Sequence, residues 1–120
     1  MATRYLVRDV PESLIFYVDT LGFEVVEQWG PAFAIVRYRE DELWLSGPGT
    51  SAARAMPDGS LPEPGGWNRI VLEVEDLAPL AARLQELGVR FSGDLVTGPG
   101  GSQVLIEDPS GNRIELFQPR

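Results

Sequence analysis

One stretch of this sequence is used twice, and that repeat constrains the fold more than any other feature. Leu21-Gly22-Phe23-Glu24 is echoed by Leu87-Gly88-Val89-Arg90, with the glycines 66 positions apart. Leu43-Trp44-Leu45-Ser46-Gly47-Pro48 is echoed by Ile114-Glu115-Leu116-Phe117-Gln118-Pro119, whose prolines lie 71 apart, and Asp9 by Asp76 at 67. A nearly constant offset means one supersecondary unit built twice. The copies disagree at one position where chemistry would sit: Trp44 stands where its counterpart is Glu115.

Each copy reads as a strand, a helix and three more strands, an α+β arrangement. In the first, Arg4–Arg8 alternates as a strand should. Asp9 then supplies an N-cap, with Pro11 in the first turn and Glu12 three residues on. Leu14, Tyr17, Val18 and Leu21 recur at helical spacing and predict the core face. Gly22 ends the helix, because a residue without Cβ takes the left-handed C′ conformation at no cost. Phe23–Trp29, Phe33–Arg39 and Leu43–Ser46 follow as strands, with turns at Gly30-Pro31 and Glu40-Asp41-Glu42. The second copy repeats the order: Ile70–Val74, a cap at Asp76, and an apolar stripe of Leu77, Leu80, Ala81, Leu84 and Leu87. Gly88 is the stop, and Val89–Phe91, Ser102–Glu107 and Arg113–Phe117 are strands. Asp108-Pro109-Ser110-Gly111-Asn112 joins the last two with turn-forming residues. The run Gly98-Pro99-Gly100-Gly101 lacks the Lys and following helix of a phosphate loop and reads as a hairpin turn or a pocket rim. Between the copies, residues 47–66 hold four prolines and five glycines, a composition that suits a surface connection or a flap rather than a sheet. The expected layout is a single domain: module 1 over about 1–48, linker or flap over about 49–66, and module 2 over about 67–120.

Composition excludes whole classes of chemistry. With no Cys there are no disulfides, thiolate nucleophiles or thiolate metal sites, and with no His the commonest metal ligand and neutral-pH base are missing. A net charge of −8 argues against nucleic acid; it fits either a cationic small molecule or plain solubility. No apolar run approaches membrane-spanning length and no signal segment opens the chain, which predicts a cytoplasmic protein without a membrane partner.

Asp9-Val10-Pro11-Glu12-Ser13, Phe16-Tyr17, Leu21-Gly22-Phe23 and Asp108-Pro109-Ser110-Gly111-Asn112-Arg113-Ile114-Glu115-Leu116 together resemble the vicinal oxygen chelate superfamily. That family spans glyoxalase I, extradiol dioxygenases, fosfomycin-modifying enzymes and bleomycin-resistance proteins. The resemblance implies two tandem βαβββ modules whose mixed sheet curls into a cup, completed in a homodimer. It implies the fold more strongly than the activity. Metal-dependent members place one ligand at the start of each module's first strand and another in each module's last strand. Seven positions before Asp9 stands Ala2 and seven before Asp76 stands Arg69, while the last-strand positions are Trp44 and Glu115. Only Glu115 of these four can bind a metal, so no metal and no other cofactor is expected.

What those positions offer instead is recognition. Leu43, Leu45, Ile114 and Leu116 should face the helices, which turns Trp44 and Glu115 into the cup. Trp44 supplies a stacking face, and Trp29, Phe33, Tyr38 and Trp67 are candidates to extend it. Aromatics on strands are also ordinary core residues, and Trp67 fits a lid residue or a surface anchor equally well. Arg69 suits a pair with Glu115 or a hydrogen bond to a ligand carbonyl or phenolate.

Among the resemblance's functions, the reading that accounts for all these replacements is a metal-independent protein that sequesters a toxic natural product. A bleomycin-, mitomycin- or aromatic enediyne-type antibiotic is the expected ligand, either aromatic or cationic. The alternative is a metal-independent isomerase, cyclase or lyase using Glu115 as a carboxylate base. A third reading, a metalloenzyme with displaced ligands, would draw on Glu73, Glu107 or Asp108.

Overall fold

Burial alternates along the central strands Phe33–Tyr38, Asp41–Ser46 and Gly101–Glu107, which gives each sheet a buried face and an open one. In the computed structural model, which describes all residues Met1–Arg120, the contacts divide the chain into two units, Met1–Gly65 and Gly66–Arg120. The first contains β1 (Ala2–Leu6), α1 (Val10–Leu14), β2 (Glu24–Trp29), β3 (Phe33–Tyr38) and β4 (Asp41–Ser46). Its four strands run in the order β1-β4-β3-β2, with β1 parallel to β4 and the other pairs antiparallel. Ala34, Val36, Leu43 and Leu45 are buried on the face that α1 covers. The strand expected at Arg4–Arg8 begins two residues earlier, because its register is set by pairing with β4 from Ala2↔Glu42 to Leu6↔Ser46. The β3–β4 turn narrows to Arg39-Glu40, with Arg39 at φ 57°, so Asp41 and Glu42 belong to the strand rather than the turn.

The first helix departs from a regular α-helix. Asp9 caps it as expected, its Oδ1 accepting the Glu12 N–H at 2.9 Å. After Leu14 the chain widens into a π-helix over Ile15–Thr20, marked by the Leu21 N–H bonding the Phe16 carbonyl five residues back at 3.1 Å. A wider turn shifts every later side chain around the axis. Phe16 and Tyr17 therefore enter the core, whereas Leu14, Val18 and Leu21 are only half-buried. Gly22, at φ 84°, closes the helix as expected.

The second unit contains β5 (Ile70–Glu73), α2 (Leu77–Glu86), β6 (Arg90–Phe91), β7 (Val96–Gly98), β8 (Gly101–Glu107) and β9 (Arg113–Pro119). The order β5-β9-β8-β6 repeats that of the first unit, again with a parallel first pair, while β7 pairs separately with β8. This unit thus has one strand more than the sequence pattern predicts. Pro99 and Gly100 form the hairpin turn between β7 and β8, where Gly98 pairs with Gly101. Leu77, Ala81 and Leu84 of the predicted stripe are buried, but Leu87 lies past the end of α2 and is exposed. Asp76 stands at the N-cap without a side-chain cap bond; the Gln118 Oε1 takes the Leu77 N–H instead, at 2.8 Å. Both sheets are mixed and the fold is α+β.

Segment 47–66 contributes a single turn of 3₁₀-helix, Ser51–Ala53, and no strand. Its Pro48, Leu61 and Pro62, with Leu6 and Ser46 of the first sheet, help line a cavity of about 230 Å³ within the first unit. No helix is long and apolar enough to cross a membrane.

Candidate ligand-binding site

Partners directly opposite in adjacent strands project to the same side of a sheet. The register Ile35↔Trp44, Phe33↔Ser46, Arg37↔Glu42 and Arg4↔Trp44 therefore assembles these side chains on the face opposite α1. Trp29 joins them through its pairing with Phe33. The rings form a continuous row: Trp29 and Phe33 lie 5.2 Å apart between centroids, tilted by 38°, and Phe33 meets Trp44 edge-on at 6.0 Å. Trp44 and Phe33 are half-buried and Trp29 is 53% exposed, so the row is a surface rather than a core. Glu42 steadies it, accepting from Arg37 Nη2 at 3.2 Å and, over a long 3.4 Å, from Trp44 Nε1.

Arg4 is a member of this face that sequence reasoning missed. Its guanidinium carbon sits 5.1 Å from the Trp44 ring centroid and 5.9 Å from that of Phe33, within cation–π range. Nη1 donates to Ser46 Oγ at 2.9 Å, and Ser46 also borders the cavity under segment 47–66. The available signal was the alternation of β1: Arg4 lies two residues beyond Ala2, on the same face. Counting back from the helix cap lands on Ala2 and passes over it.

Tyr38 is not brought to this row. It has the parity of Ala34 and Val36, on the side of α1, and its ring lies 5.3 Å from the buried Phe23.

Trp67, Arg69 and Glu115 come together in the second unit. Arg69 donates from Nε at 3.1 Å and from Nη2 at 2.9 Å, both to Oε1 of Glu115. Its Nη1 donates to the Trp67 carbonyl at 3.2 Å. The Trp67 ring is exposed and covered on one side by Arg113, whose guanidinium carbon is 3.7 Å from the ring centroid. Arg113 also donates to the Gly66 carbonyl at 2.7 Å. Glu115 is 8% exposed.

These residues do not fit a catalytic metal. Such an ion takes about three protein ligands, and nowhere does the fold gather three acidic side chains. Glu115 stands with Arg69 on its carboxylate. Asp108 is committed to its own turn, accepting the Ser110 and Asn112 N–H groups and the Asn112 amide at 2.9 Å each. Glu107 accepts from Ser92 Oγ at 3.0 Å.

Residues 2–116 match the Glyoxalase/Bleomycin resistance protein/Dioxygenase superfamily, and the chain belongs to that family. Among solved structures it is similar to TnmS3, an antibiotic binding protein from Streptomyces sp. CB03234. The two are 30% identical over 100% of this chain and 96% of that one, with a TM-score of 0.72. A superfamily member from Sphaerobacter thermophilus is 29% identical over 98% and 96% of the two chains, with a TM-score of 0.75. Lactoylglutathione lyase from Agrobacterium tumefaciens superposes with the same TM-score of 0.75 over 98% and 91%, at 23% identity, a likeness of fold alone.

Proposed function

We propose that this chain binds a flat aromatic natural product of antibiotic type and holds it unaltered, without a metal, as a cytoplasmic self-resistance protein acting as a homodimer. The observation that carries the reading is the half-exposed row Trp29–Phe33–Trp44 on the face opposite α1. A planar ligand stacked there removes apolar area from water, at about 25 cal/mol per Å². Face contact with one ring and edge contact with its tilted neighbour add to that burial. The likeness to an antibiotic binding protein at 30% identity supports the same reading. The arrangement of Glu115 weighs against a carboxylate base, because two Arg69 N–H groups already fall on its Oε1.

The test is quenching of intrinsic tryptophan emission by bleomycin, mitomycin C, an anthraquinone-type enediyne and a glutathione hemithioacetal. Saturable quenching by the enediyne, with the compound recovered at unchanged mass, is expected. Trp44→Ala should weaken that binding about tenfold or more while leaving the far-ultraviolet circular dichroism intact. Recovery of an altered product, or binding of the hemithioacetal alone, would overturn the reading in favour of an enzyme.

A further inference from the structure

Arg4 and Arg69 both face sheet surfaces opposite their helices, and they are used differently. Arg69 is spent on Glu115. Arg4 has no carboxylate partner; its side chain is held by Ser46 Oγ and the rings of Trp44 and Phe33. The register explains the difference. In the second unit Val71 pairs with Glu115; in the first, Arg4 pairs with Trp44. The position that would supply a counter-charge to Arg4 therefore holds an indole.

A guanidinium fixed beside aromatic rings keeps its plane and its unused N–H donors in place, losing little freedom when an acceptor arrives. Next to the stacking row, those donors suit an oxygen attached to a flat ring system. On the same face Arg37 is already neutralised by Glu42, so Arg4 supplies the uncompensated positive charge beside the rings.

We infer that Arg4 selects the ligand. It recognises an acceptor oxygen (a quinone carbonyl, phenolate or other ring-borne anion) on an aromatic system packed into the angle between Trp44 and Phe33, and it disfavours flat cations. This rests on the sequestering reading and narrows it, turning the preference away from cationic glycopeptides. The role assigns to Arg4 the carbonyl or phenolate contact that the sequence alone offers to Arg69.

The experiment compares two three-ring probes by tryptophan quenching: anthraquinone-2-sulfonate, an anion with quinone oxygens, and 9-aminoacridine, a cation without an acceptor oxygen. The wild-type chain should prefer the anthraquinone by about tenfold or more, the scale of one charge-assisted hydrogen bond. Arg4→Met, which keeps the apolar stem, should lose that preference while binding the acridine at least as well. Arg4→Lys, which keeps the charge but not the planar fork, should retain part of it. Equal weakening of both probes by Arg4→Met, or a wild-type preference for the acridine, overturns the selectivity and leaves aromatic sequestration standing. Failure of the wild-type chain to bind either probe, or any drug of the larger panel, overturns both.

Discussion

Arg69 delivers two N–H groups to one carboxylate oxygen of Glu115, whose side chain is 11% exposed, so the two side chains are best understood as one unit. Removing the cation alone strands Glu115 in a poorly hydrated position. Arg69→Ala should cost about 1–3 kcal/mol, read as a lower urea midpoint at unchanged slope. Replacing both, as Arg69→Met with Glu115→Leu, should recover most of that loss, because a paired buried charge is often worth no more than well-packed apolar atoms. If the double variant is as unstable as the single, the pair itself stabilises the fold. The family resemblance put both residues in view: its ligand positions, counted from Asp76 and from the last strand, fall on Arg69 and Glu115, and their pairing was one of two roles open to Arg69. Arg4 escaped because the count back from the cap stops at Ala2; alternation along β1 puts Arg4 on the same face, but only the parallel register with β4 sets it beside Trp44. Tyr38 was misleading for a related reason. Its aromatic character is shared by Phe33, but its parity in β3 differs, and Phe23 is waiting on the other side.

Helix ends distinguish what repeats in sequence from what repeats in structure. Asp9 and Asp76 occupy equivalent places, yet only Asp9 makes the cap bond, while α2 borrows Gln118 from β9. Asp9→Ala should therefore cost about 1 kcal/mol, whereas Asp76→Ala should stay within about 0.5 kcal/mol of wild type. Gln118→Ala should cost about 1 kcal/mol by freeing the Leu77 N–H. Denaturant unfolding followed by circular dichroism checks all three, and a large loss at Asp76 would contradict the observed cap. The element order, helix stops and most strand cores were readable because they depend on local chemistry: alternation, capping and the positive φ of Gly22 and Gly88. The π-helix and β7 were not. A π-turn is a one-residue phase slip inside an otherwise helical pattern, and β7 is three residues held by pairing with β8. Tertiary partners decide both.

For the molecule as a whole, an acidic chain of net charge −8 has carboxylates enough to attract cations loosely, but the fold gathers no three acidic side chains into a cage. Metal should accordingly matter little. Millimolar zinc or manganese should move the thermal midpoint by less than about 1 °C, and EDTA should leave drug affinity unchanged. A clear metal-dependent rise in the midpoint, reversed by chelator, would reveal a resident site and revive the displaced-ligand chemistry. The family assignment does not decide this point, since one architecture serves catalysts and binders alike. What separates them is the set of side chains on the helix-free faces. There this chain offers an aromatic row with Arg4 in one unit and the Arg69–Glu115 pair in the other.

The three indoles are divided between the units: Trp29 and Trp44 belong to Met1–Gly65, and Trp67 to Gly66–Arg120. Nature has thereby built two spectroscopic reporters into one chain. A Trp67→Phe variant watches only the first half lose its emission during unfolding, and Trp29→Phe with Trp44→Phe watches only the second. Comparing the two melting profiles asks whether a duplicated architecture comes apart as one cooperative body or in two stages.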